Sequence, residues 1–175
     1  MTDGFAHRLP LDSIRDGERL DLVANEAERR IVAGRLGLPS LDRLEAHVTI
    51  QRDGATVRVR GRLQAALDQH CVVTGEPVAA LIDEPFELAF MPEPAAARAD
   101  DEVELAAADC DVVFHDGSAI DLGSAIADTL ALALDPYPRS AGADAALKEA
   151  GVMTEEQASP FAALARLRGG DSDAP

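Results

Sequence analysis

The chain has 175 residues, enough for one domain with a real core, and a second full domain is not expected. Aromatics make up only 3% of a composition that is 47% hydrophobic, so the core must be built from Ala, Val, Leu and Ile. A formal charge of -16 excludes a uniform nucleic-acid-binding surface and favours basic partners or simple solubility.

No apolar run approaches the roughly 20 residues of a membrane-spanning helix. The opening "MTDGFAHRLPLD" also lacks the apolar stretch of a signal peptide, so the expectation is a cytoplasmic protein with no membrane association. Leu20, Leu22 and Ala24 alternate as in a strand. Asn25 then opens a helical pattern, with Glu28 three residues on as in a capping box, and Gly37 and Pro39 mark its end. Next, Leu44, Ala46, Val48 and Ile50 alternate with Glu45, His47, Thr49 and Gln51. After a turn at Asp53 and Gly54, Val57, Val59, Leu63, Ala65 and Leu67 alternate with Arg58, Arg60, Arg62 and Gln64, which predicts a β-hairpin.

The corner "CVVTGEPV" leads to "LIDEPFELAFMPE", in which Phe86, Leu88 and Phe90 share a face and Pro85 marks an edge or a break. The stretch "PEPAAARADDEVELAAADCD" has no sustained period and reads as a mobile acidic loop, a poor candidate for a site. A short strand "VVFHDG" precedes "SAIDLGSAIADTLALALDPYPR", where Ile126, Leu130 and Leu134 recur every fourth residue in a buried helix stopped by Pro136. Residues 140–158 read as a linker. Ser159 as N-cap and Pro160 at the first helical position then open a short helix, whose Phe161, Leu164 and Leu167 form one apolar stripe for docking on the body or on a partner. The expected architecture is a single α+β domain over residues 1–139, mostly antiparallel sheet with two packed helices, followed by that linker and a C-terminal helix and tail over 159–175.

Chemistry-bearing residues are few. His70, Cys71, Cys110 and His115 could in number ligate zinc, but adjacent residues on an extended strand point to opposite faces, so His70 and Cys71 do not converge. The two cysteines are expected as free thiols, since nothing suggests export. A cysteine nucleophile at Cys71 would need a base beside it, and spacing supplies neither His47 nor His115. Asp83, Glu84 and Glu87 flank a strand as a solvated face would, and there is no phosphate-cradling glycine loop. Neither a metal, a cofactor nor a small-molecule substrate is expected.

Charge is unevenly spread. Arg43 to Gln69 carries five arginines against three acids, whereas Asp83 to Asp128 carries one arginine against thirteen acids. Arg58, Arg60 and Arg62 project at a period of two from one face of a strand, where guanidinium groups in a row can grip phosphates. The competing reading is cross-strand pairing with Glu45 and neighbouring acids, or simple gatekeeping of the strand.

"QHCVVTGEPVAALIDEPFELAF", "AIDLGSAIADTLALALDPYPR" and "SPFAALARLR" follow one another in an order and spacing that resemble the YceD family, the bacterial large ribosomal RNA subunit accumulation proteins, in their alphaproteobacterial form. The N-terminal "LPLDSIRDGERLDLVANEAERRIVAGRLGL" is similar to that branch's start, and "CVVTGEP" and "IDLG" carry most of the likeness. The resemblance implies a non-enzymatic role in making or protecting large-subunit ribosomal RNA. It also implies a partner in ribosomal RNA, a pre-ribosomal particle of the large subunit, or a basic ribosomal protein. Many relatives have a second cysteine where this chain has Thr74, and further cysteines towards the C-terminal segment; Cys110 matches no family position. That departure argues against zinc and leaves Cys71 as a small buried residue before a Gly and Pro turn. Candidate binding residues are therefore Arg58, Arg60 and Arg62 from the stripe and Cys71, Thr74, Glu76 and Pro77 from the corner. The alternatives are a thiol- or metal-dependent enzyme using Cys71, and a general acidic adaptor.

Overall fold

The computed structural model describes residue 5 and residues 7–93 and 111–152. Three long strands form its frame: β3 (Ser40–Asp53), β4 (Thr56–His70) and β5 (Pro77–Pro92). Their alternation puts branched aliphatics on one face, which buries Leu44, Ala46, Val48 and Ile50 of β3 and Val57, Val59, Leu63 and Leu67 of β4. β3 and β4 are joined across Gly54 and Ala55, and Gly54 takes the left-handed conformation (φ 61°) that so tight a connection requires. β2 (Arg19–Val23) flanks β3, and β6 (Val112–His115) flanks β5, in the order β2-β3-β4-β5-β6. A separate pair is formed by β1 (Arg8–Pro10) and β7 (Ala119–Asp121).

The helices cover the apolar face of the sheet. In α1 (Glu26–Leu36), Asn25 Oδ1 accepts the Glu28 N–H at 3.1 Å and the Glu28 carboxylate accepts the Asn25 N–H at 2.8 Å, closing the expected capping box. Gly37 ends this helix in the left-handed conformation. In α2 (Leu122–Ala133), Asp121 Oδ1 caps the Ser124 N–H at 3.0 Å, and Ile126 and Leu130 are fully buried against β4 and β5. The helix ends at Ala133 and the chain is extended by Leu134, two residues before Pro136, whose ring and missing N–H cannot continue a helix. Gly123 lies in the first turn, where the N-terminal segment crosses: a Cβ there would fall on the Phe5 carbonyl oxygen, and the Leu122 N–H donates to the His7 carbonyl at 3.0 Å. The core is aliphatic as expected, with Phe90 as its largest fully buried side chain.

The α+β class and its mostly antiparallel sheet agree with the sequence reading, with additions. Pro85 sits inside an unbroken β5 opposite Arg62. Its missing N–H costs nothing there, because β6 pairs only with Ala89–Pro92 and the strand is an edge at Pro85 among the described residues. β6 runs parallel to β5, a direction that alternation of apolar residues does not encode. A short third helix, α3 (Ala143–Glu149), lies within the segment read as a linker. The acidic stretch over 94–110, with Cys110, and the stripe of Phe161, Leu164 and Leu167 lie outside the described residues.

Candidate functional site

Arg58, Arg60 and Arg62 stand together on the solvent face of β4, opposite the helices, as the period of two demands. The structure sets acids of β5 against two of them. Arg60 Nη2 lies 2.9 Å from Glu87 Oε1 with both side chains half exposed, and Arg62 Nε donates to the Asp83 carboxylate. That hydrogen bond holds Asp83 below the usual carboxylate range. The pairing continues across the sheet: Gln64 accepts from Arg43 at 2.7 Å, Arg43 also binds Glu45 at 2.7 Å, and His47 meets Asp21 at 2.7 Å. Glu45, the acid expected to pair with the stripe, is thus engaged by Arg43 instead. Arg58 faces Gln51 on one side and Ala89 on the other, so neither neighbouring strand offers it an acid in register.

The second candidate is the corner between β4 and β5. His70 and Pro77 form the last pair of the ladder, and residues 71–76 turn back with Gly75 at φ 74°. The Cys71 N–H donates to the Glu76 carbonyl at 2.7 Å and the Gly75 N–H to the Cys71 carbonyl at 2.9 Å. Thr74 Oγ1 lies 3.0 Å from a Glu76 carboxylate oxygen, so Cys71, Thr74, Glu76 and Pro77 do belong to one small structure. The Cys71 sulfur is buried, at 3% exposure, and accepts two backbone N–H groups, from Thr74 at 3.4 Å and from Ser140 at 3.2 Å. Hydrogen bonding from Thr74, with a further share from Ser140, lowers the thiol to about 6 against the opposing effect of burial.

Ser140 belongs to the segment that follows α2, and that segment docks on the corner at several points. The Val72 N–H donates to the Pro138 carbonyl at 2.9 Å, Gln69 Nε2 to the Asp135 carbonyl at 2.9 Å, and the Thr74 and Ser140 hydroxyls are 3.3 Å apart. Cys71 is therefore the acceptor at the centre of a clasp between residues 69–76 and 135–140.

This geometry keeps His115 apart from His70 and Cys71. His115 Nε2 donates to the Ala55 carbonyl at 3.0 Å and its Nδ1 accepts the Gly117 N–H at 3.1 Å, which locks it beside the β3–β4 turn. Cys71 lies beyond the far end of β4, a 15-residue strand and so roughly 50 Å along the chain path. His70 is exposed and turned to the Gly75 carbonyl, and His47 is held by Asp21 on the outer face. The described residues contain no cluster of three metal-ligating side chains. Nor do these imidazoles, each committed elsewhere, offer Cys71 a base.

The family model for Large ribosomal RNA subunit accumulation protein YceD matches residues 59–168, more than half of the chain. The chain belongs to this family. Both halves of the clasp and the whole of α2 fall inside the YceD match, whereas Arg58 and the elements from β1 to β3 precede it. No curated protein and no solved structure matches the chain. Within the YceD region, reading the sequence missed Gln69, Asp135, Pro138 and Ser140 as partners of the corner. The available signal was that "CVVTGEP" and "DPYPR" both carried the family likeness although some 60 positions separate them.

Proposed function

We propose that this YceD-family protein supports accumulation of large-subunit ribosomal RNA without catalysing a reaction, by holding a basic ribosomal protein or a basic segment of one. The observation that carries this reading is the state of the arginine stripe: Glu87 and Asp83 neutralise Arg60 and Arg62 on a chain whose net charge is -16. Such a surface repels phosphates at long range and steers cationic partners towards it. The family's name supplies the link to ribosomal RNA. The proposed role would be exercised in the cytoplasm. No helix among the described residues is long and apolar enough to cross a membrane.

A second reading has its own support. Arg58 has no acid opposite it, and Arg60 and Arg62 remain more than half exposed, so the stripe could exchange its carboxylates for RNA phosphates. Cys71 offers less to an enzymatic reading, since its sulfur is enclosed by backbone donors with no imidazole committed to it. The test is the ratio of large-subunit to small-subunit ribosomal RNA in cells depleted of the protein. A fall reversed by the restored wild-type gene is expected; an unchanged ratio under complete depletion overturns the role.

A further inference from the structure

The geometry points to an acidic groove beside β6 as a docking site for an extended, arginine- or lysine-bearing segment of a partner protein. The groove, of about 480 Å³, opens between β6 and the first two turns of α2. One wall is a sheet edge: β6 is the terminal strand of the five-stranded sheet among the described residues, paired on one side only, to β5. An edge of this kind presents backbone donors and acceptors that an extended peptide can satisfy as an added strand. Phe114 projects from that strand at 59% exposure, one of the few aromatics of the chain and an unusual residue to leave in solvent. Its ring is a surface on which a guanidinium or ammonium stacks.

Charge selects the occupant. Four carboxylates line the groove, from Glu93, Asp116, Asp121 and Asp128, against the single guanidinium of Arg8. Three of the four are already partly engaged: Asp116 lies 3.7 Å from Arg8, Asp128 pairs at 2.7 Å with Arg35 on α1, and Asp121 caps α2. Hydrogen bonds from Ser118 hold Asp116 below the usual carboxylate range, so it stays charged. Glu93 has no ion-pair partner among the described residues and stands at the end of β5, one position beyond the β6 register. The lining keeps a net negative charge around an apolar floor that includes Ile120 and Ala125. That combination fits alternating cationic and apolar side chains on an extended backbone, and it repels a polyanion.

This inference rests on the reading of a basic protein partner and adds the place and the form of contact. The probe is a short labelled peptide alternating arginine with valine, with a scrambled peptide of the same composition as control, titrated into the full chain at low and moderate salt. Glu93→Gln combined with Asp128→Asn, and separately Phe114→Ser, should each weaken the alternating peptide, the acid pair by about tenfold and the aromatic by about threefold. Asp42→Asn combined with Glu149→Gln removes the same charge from exposed positions elsewhere and should leave binding intact. Equal weakening by both acid pairs reduces the effect to net charge and overturns the groove. So does equal binding of the scrambled peptide, or competition by a single-stranded RNA oligonucleotide that the groove variants abolish. The depletion ratio is the separate readout for the underlying reading: groove variants that lose the peptide yet restore that ratio detach the groove from the function.

Discussion

Gly123→Ala sets two effects of opposite sign against each other. Alanine is the better helix former by up to about 1 kcal/mol, so a substitution in the first turn of α2 judged on propensity alone stabilises the protein. The packing says otherwise. The added Cβ falls on the Phe5 carbonyl oxygen and close to the His7 nitrogen, so Phe5 and His7 must move off the helix. That movement breaks the hydrogen bond from Leu122 to His7, about 1 kcal/mol. It also lifts Phe5, now 5% exposed, out of the core, where burial of a phenylalanine is worth about 1.5–3 kcal/mol. After the propensity gain is set against these losses, the expected result is a net destabilisation of about 1.5–3 kcal/mol. Urea denaturation followed by far-ultraviolet circular dichroism reads the midpoint directly, and hydrogen exchange over β1 locates the damage. An unchanged or raised midpoint would show that the N-terminal crossing contributes nothing, and the packing argument at Gly123 would fall.

Neutralising the carboxylates that engage the stripe should favour contact with single-stranded RNA. Asp83→Asn with Glu87→Gln frees two guanidinium groups, so the salt dependence of single-stranded RNA binding should steepen by up to about 1.4 in the log–log slope; an unchanged slope refutes the neutralising role of the pairs. The clasp should respond to pH through Cys71. Its folded-state value is lowered to about 6 from 9.0, so the thiolate contributes fully above pH 9 and the contribution is lost as pH falls through 6. Cys71→Ser should therefore lower the denaturation midpoint more at high pH than below about pH 6, and a gap independent of pH would sink the assignment of the sulfur as a charged acceptor.

Local signals were legible because their causes are local. The capping box of Asn25 and Glu28, the helix end at Gly37 and the alternation of β3 and β4 each depend on residues a few positions apart, and each appears as read. Pro85 was legible to the extent that its chemistry is local: it marks an edge. The state of the arginine stripe was not, because a period of two shows that Arg60 and Arg62 share a face but not that Asp83 and Glu87 arrive beside them. That register depends on where the Cys71 corner begins and ends. The clasp was hidden for the same reason, since its sulfur is satisfied by a backbone N–H from Ser140, 69 positions away, and a backbone amide leaves no mark in a sequence. The acidic groove draws Glu93 from just past β5, Phe114 from β6 and Asp128 from α2, and only the excess of acids between Asp83 and Asp128 hinted at it.

The order of strands also sets a timetable. β3, β4 and β5 are sequential neighbours that zip from a two-residue turn, at little cost in loop entropy. The β1–β7 pair instead joins Arg8 to Asp121 and Pro10 to Ala119, and waits for almost the whole domain. During synthesis, then, the meander is complete while α2 is still inside the ribosome, and the strip of Val59, Leu63 and Leu88 stands uncovered until residues 122–133 emerge. The nascent chain is most exposed to misassociation in that interval, and the arrival of Leu122, Ile126 and Leu130 ends it.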